Sequence, residues 1–255
     1  MNKFAVSLAA VLMSATSAYS ADLYLEPAPE IPEVVSFGGW YLRGHLGMSN
    51  QRVKRLEHPG FDIVADHEFL DDGDFDSGII GGIGVGYQVN DWLRTDAFVE
   101  YRGKTDFAAL DRYWDPAGAG TWRTNDYEAT KSEWLVMANV YADLGDYYGI
   151  VPYVGAGVGA SRNTISNFRD FDATRPSVAY ADEDSKWNLA WALHAGLGYQ
   201  VNDRLTLDFG YSYLNLGDAQ TGTIRTFDGT DTGERMKFED ITSHDFKLGL
   251  RYSLQ

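Results

Sequence analysis

Four residues carry the side chains that nucleophilic or general-base chemistry needs: His45, His194, Ser243 and His244. A serine becomes a nucleophile only when a base reaches it by hydrogen bond. Ser243 and His244 are chain neighbours, and neighbours in an extended strand point to opposite faces. The four imply no catalytic site, so the expectation is a chain that is not an enzyme. The acidic run Asp72-Gly73-Asp74-Phe75-Asp76 begins like a calcium-binding loop, but Ser77 stands where the turn glycine belongs and Ile83 where the distal glutamate belongs. There is no cysteine, hence no disulfide frame and no thiolate metal site. No metal and no cofactor are expected.

A larger set of charges falls at alternate positions across apolar rows. Arg43 and His45 lie opposite Trp40, Leu42, Leu46 and Met48. Arg94, Asp96, Glu100 and Arg102 lie opposite Leu93, Thr95, Ala97, Val99 and Tyr101. Asp245, Lys247 and Arg251 lie opposite Phe246, Leu248, Leu250, Tyr252 and Leu254. Asp143, His194 and Asp208 have the same placement in three more segments, and the rows from Ile79 to Val89 and from Val154 to Ala160 complete eight. Period-2 alternation is the signature of half-buried strands. It fits a soluble sandwich with apolar faces inward, and equally a membrane barrel with apolar faces on lipid and charges in the lumen.

Three other features separate these readings. Residues 1–20 have a signal peptide's form: Lys3, an apolar core from Phe4 to Met13, and small Ala18 and Ser20 before cleavage near Ser20/Ala21. Residues 21–36 form an acidic leader with Pro27, Pro29 and Pro32, expected to be extended in the periplasm. From residue 37 to 255 the connections alternate short and long. Asn90-Asp91, Gly145 to Gly149 and Asn202-Asp203 are short; Asn50 to Asp76, Lys104 to Thr130, Arg162 to Lys186 and Gly217 to Asp240 are long, expected as four external loops. A barrel with tight periplasmic turns has this rhythm. Trp and Tyr cluster near strand ends, as at Trp40, Tyr87, Trp92, Trp134, Trp187 and Tyr199, where lipid meets water. The expected fold is an all-β, eight-stranded antiparallel up-and-down transmembrane barrel in the Gram-negative outer membrane, expected as a monomer. Net charge is -16, which argues against nucleic acid, and mean hydropathy is -0.30, with no apolar run long enough for a helical span.

An internal repeat supports this. Gly86-Tyr87-Gln88-Val89-Asn90-Asp91 recurs as Gly198-Tyr199-Gln200-Val201-Asn202-Asp203, half a barrel later, with Asn-Asp at each expected hairpin turn. With Val151-Pro152-Tyr153-Val154-Gly155-Ala156-Gly157-Val158-Gly159, Leu207-Asp208-Phe209-Gly210-Tyr211-Ser212-Tyr213 and the closing strand from Phe246 to Leu254, the chain resembles the small alphaproteobacterial outer-membrane β-barrel proteins, a surface-antigen and OmpA-type group. The end departs from that pattern: Tyr252-Ser253-Leu254-Gln255 lacks the terminal Phe or Trp that barrel assembly typically reads.

The resemblance implies a cofactor-free barrel acting in envelope integrity and surface display, with outer-membrane lipids and lipopolysaccharide as partners. It also implies an attachment to peptidoglycan through Ala21-Asp22. The lumenal charges are expected to pair with one another, since eight strands leave an interior just wide enough for side chains to fill. A narrow low-conductance channel, a loop-mediated adhesin and a lipid-modifying enzyme are the competing functions.

Overall fold

The computed structural model describes residues 38–254 except 63, 117–119 and 175–176. The signal peptide and leader lie outside the described residues. Eight long strands follow one another: β1 (Gly39–Arg52), β2 (Gly78–Gln88), β3 (Leu93–Asp115), β4 (Thr121–Asp143), β5 (Ile150–Asp172), β6 (Asp184–Gln200), β7 (Leu205–Gln220) and β8 (Lys237–Ser253). Each pairs antiparallel with its neighbours in sequence, and β1 pairs with β8, so the sheet closes into a ring. Closure leaves no unpaired edge in the spanning wall, the condition for strands to sit in lipid.

The tight ends repeat as the sequence does. Asn90 Oδ1 accepts from the backbone N–H groups of Trp92 (3.0 Å) and Leu93 (2.8 Å). Asn202 Oδ1 accepts from Arg204 (3.0 Å) and Leu205 (2.9 Å) in the same manner. Each asparagine side chain satisfies backbone donors that the turn leaves without strand partners.

The rows assigned to lipid do face outward. Leu46, Ile79, Ile83, Val140, Leu189, Leu193, Phe246 and Leu250 are all exposed on the wall. Along β4 and one residue past it the apolar row runs from Trp134 to Leu144, ten steps, which at about 3.4 Å per step and a tilt near 40° is about 26 Å, the height of an outer-membrane band. Trp40 and Tyr87 pack edge-on at the periplasmic rim (5.2 Å), and Tyr101 and Trp134 meet at a tilt at the outer rim (4.9 Å).

The long connections expected as external loops are largely strand. β3, β4 and β5 run for 23 residues each, far beyond the bilayer, and Lys104 to Thr130 is mostly strand on either side of one turn. Four short strands add to this extension: Arg55–Glu57 on β8, Ala65–Phe75 on β3, Ser177–Ala181 on β5, and Ile224–Thr226 on Ser177–Ala181. The reason lies in the solvent. Inside the bilayer the inward face is charged and the outward face apolar; above it the outward face meets water, so the polarity exchanges. Phe107, Ala109, Tyr127, Ala129, Phe168, Leu214, Leu216, Phe238 and Ile241 point inward as a buried core, while Asp106, Asp126 and Glu128 point out. On β3 a bulge between Arg102 and Thr105 moves the inward set from even to odd residues at the same level.

Candidate functional site

The lumen is the first place where chemistry-bearing residues converge. Every lumenal residue named from the sequence lies on the inner face. Glycines make the room: a Cβ on Gly86 would stand 2.2 Å from the Tyr41 ring, and one on Gly155 2.4 Å from the Tyr141 ring. Those rings and the long basic side chains fill the space that the missing side chains leave.

The charges pair without remainder. Arg43, Arg94, Arg102, Lys131, Lys247 and Arg251 face Asp96, Glu100, Glu133, Asp143, Asp208 and Asp245. Toward the periplasm, Arg251 Nε donates to Asp208 Oδ2 (2.7 Å) and Arg94 Nε to Asp143 Oδ1 (2.9 Å), with the Arg94 guanidinium stacked 4.2 Å from the Tyr141 ring. Arg43 pairs with Asp96 and donates to the Tyr141 hydroxyl at 3.0 Å. Midway, Glu100 receives Lys247 (2.6 Å) and Arg102 (2.8 Å) and lies 2.6 Å from His45. Arg102 also reaches Asp245, Ser243 and Glu133, and Lys131 joins Glu133 to the Gln51 side-chain oxygen Oε1 at 2.7 Å. Such burial is tolerable because each charge meets an opposite one, even though Arg94 Nη2 and His45 Nδ1 are buried without a hydrogen-bond partner among the described residues.

Sequence reasoning missed Lys131, Glu133 and Gln51. Continuing the odd-numbered inward face of β4 past Asn139 and counting on to 131 would have found the first two.

Above Lys131 the lumen turns apolar. Phe75, Phe107 and Phe238 form a triangle with centroids 5.1 to 6.0 Å apart, and the Lys131 ammonium lies 5.6 Å from the Phe75 ring. This cluster caps the ion-pair column.

The candidate catalytic residues are dispersed. Ser243 is buried between Arg102 and Asp245, while His244 is on the opposite face, 2.7 Å from the Tyr211 hydroxyl. His45 is held by Glu100. His194 does meet a serine the sequence had not paired with it: Nδ1 is 2.8 Å from Ser212 Oγ and Nε2 is 3.0 Å from Asn139 Oδ1. His194 and Ser212 line a cavity of only about 20 Å³, room for about one water molecule. Asp72, Asp74 and Asp76 lie on and just after the strand Ala65–Phe75, and among the described residues no group of three potential ligands is placed to hold a metal ion.

The extracellular end is the second place. On its inner face Asp111 accepts from the Tyr127 hydroxyl (2.8 Å), lies 2.8 Å from His67 Nε2, and accepts from the Asn125 N–H (3.0 Å). Asp170 lies nearby, and burial together with Asp111 and Asp172 pushes its carboxyl up to about 7. Burial pushes the His58 imidazole down, against the pull of Glu234. On the outer face, Trp114 and Trp122 meet edge-on at 5.6 Å, and the Arg112 guanidinium lies 4.8 Å over Trp122 while it pairs with Glu68. Phe171, Val178 and Tyr180 are also exposed on the extension.

Known proteins place these features. The outer membrane protein beta-barrel domain family matches residues 6–253. An uncharacterized protein of Brucella abortus is 30% identical over 98% of both chains. The outer membrane protein PagN of Salmonella typhimurium is 28% identical over 84% of this chain and 90% of its own. A putative adhesin of Rickettsia bellii is 22% identical over 84% of this chain and 88% of its own. Lipid-facing rows, a closed ring and these relatives agree: the chain belongs to the outer membrane protein beta-barrel family and resides in the Gram-negative outer membrane.

Proposed function

We propose that the chain is a sealed anchor that displays a rigid contact surface outside the cell. The observation that carries this reading is the strand-built extension: its buried apolar core fixes the outer face on which Trp122, Phe171, Val178 and Tyr180 are exposed and Trp114 is half-buried against Trp122. Aromatic side chains lose little conformational freedom on binding and bury much area, so they are suited to contact with another surface. A putative adhesin among the relatives supports the same direction.

The filled lumen supports a structural role over transport, since the ion pairs and the phenylalanine cap leave no open axis. A sealed barrel adds to envelope integrity by spanning the membrane without leaking. The small cavity beside His194 and Ser212 favours no hydrolytic role. The test is display on a non-adherent outer-membrane host. Wild-type chain should confer attachment to epithelial cells or matrix, and Trp114→Ala with Trp122→Ala should lower it at equal surface density. Unchanged attachment in the double variant removes the contact-face reading. Increased detergent sensitivity on deletion, restored by the same double variant, tests the envelope role separately.

A further inference from the structure

At the outer rim of the apolar band three side chains stand in register on neighbouring strands. Trp134 on β4 opposes Arg162 on β5, and Arg162 opposes Trp187 on β6. All three are exposed on the wall. One step farther out, Ser132, Thr164 and Ser185 form a second row in the same registers, with the Thr164 and Ser185 hydroxyls 2.9 Å apart. One step inward, Val136, Ala160 and Leu189 continue the face, so the short Ala160 side chain lies directly below Arg162 between two larger ones.

Arg162 differs from the lumenal arginines. Each of those holds a carboxylate, whereas Arg162 makes no salt bridge among the described residues and only a long contact, 3.4 Å, to Ser185 Oγ. At the boundary of the hydrocarbon a guanidinium can reach up to the headgroup layer, where lipid phosphates are the anions it meets. Tryptophans on either side fix its depth at the lipid–water boundary. The guanidinium fork matches a phosphate in a bidentate manner, and hydroxyls one row above can donate to remaining oxygens. The furrow over Ala160 leads from that point down the apolar wall, which suits a phosphate carried by an acyl chain and not one free in solution.

We propose that Arg162, flanked by Trp134 and Trp187 and overlain by Ser132, Thr164 and Ser185, is a binding site for the phosphate of an outer-leaflet glycolipid. The site depends on the barrel's place in the outer membrane and is independent of the contact face at the tip.

The test is native mass spectrometry of the chain folded in detergent, titrated with bisphosphorylated lipid A, with the same lipid A stripped of its phosphates, and with inorganic phosphate as competitor. Wild-type chain should bind the phosphorylated lipid more tightly than the stripped one, by about tenfold for one charged hydrogen-bonded contact. Arg162→Gln should bring the two lipids level, and Arg162→Lys should restore part of the difference. Heat-dependent gel migration confirms that each variant is folded. Equal binding of the two lipids by wild-type chain overturns the proposal without reference to any variant. A preference that survives Arg162→Gln overturns it too, as does displacement of the lipid by inorganic phosphate at a similar concentration.

Discussion

Arg102 on β3 holds Asp245 on β8 across the lumen through two parallel charge-assisted hydrogen bonds, Nη1 to Oδ2 at 2.7 Å and Nη2 to Oδ1 at 2.8 Å. Both side chains are fully buried, and Glu100, Glu133 and Ser243 converge on the same guanidinium. The contact therefore ties two strands that are not neighbours in the ring.

Removing the cation should be severe. Arg102→Ala leaves three buried carboxylates short of a counter-charge, and the expected loss is about 3–5 kcal/mol. Arg102→Lys should recover less than half of it, because an ammonium cannot reproduce the fork. Urea unfolding in lipid vesicles measures both. A loss under 1 kcal/mol for the alanine variant would show that water has replaced the pairing.

The apolar cap and the ion-pair column make separate contributions. Phe238→Ala should cost about 3–5 kcal/mol as a large-to-small change in a packed core. It should open no pathway, since the paired charges below still fill the axis. Planar-bilayer recordings should show no stepwise current in either the wild type or this variant. Resolved steps in the wild type would contradict the sealed lumen.

Asp170 gives the extracellular end a pH dependence. Its folded-state carboxyl titrates near 7, above the unfolded value near 3.8, so the fold favours the protonated form. The stabilising contribution is whole below about pH 4 and is lost as pH rises through 7. Ionised Asp170 then faces Asp111 and Asp172, with His67, Tyr127 and Arg123 on the adjoining strands. Asp170→Asn should raise the melting temperature at pH 8 by a few degrees, by less at pH 5, and change it little below pH 4. A gain confined to pH 5 would reverse the assignment.

The two asparagine turns offer an internal control. Asn90→Ala and Asn202→Ala each remove two hydrogen bonds to backbone and should each cost about 1 kcal/mol. The sites are at different hairpins, so the losses should add in the double variant. Strong non-additivity, read by the same urea series, would mean that the turns are coupled.

The spanning wall was legible in the sequence because one rule holds throughout it: even spacing, apolar on lipid, charge on the axis. That is why Arg94, Asp96, Glu100 and Arg102 could be placed on one face from their numbers alone. The repeat at Asn90 and Asn202 likewise marked real turns. Beyond the bilayer the rule reverses sign, and at Gly103-Lys104 the phase slips by one residue. Phe107 and Ala109 then look like breaks in a pattern when they are its continuation with polarity exchanged. The meeting of His194 with Ser212 was hidden for another reason. They are directly paired across β6 and β7, which requires the register, and a single chain does not print its register.

Strands that rise past the membrane also decide what an immune system sees. The outer segments hold their shape only while β3, β4, β5 and their short companions stay hydrogen-bonded side by side. A two-stranded piece cut from such a sheet is marginal in water. Antisera raised against linear peptides from residues 104–130 should recognise the denatured chain and miss the intact cell, whereas immunisation with the folded barrel should give antibodies whose epitopes are assembled from several strands.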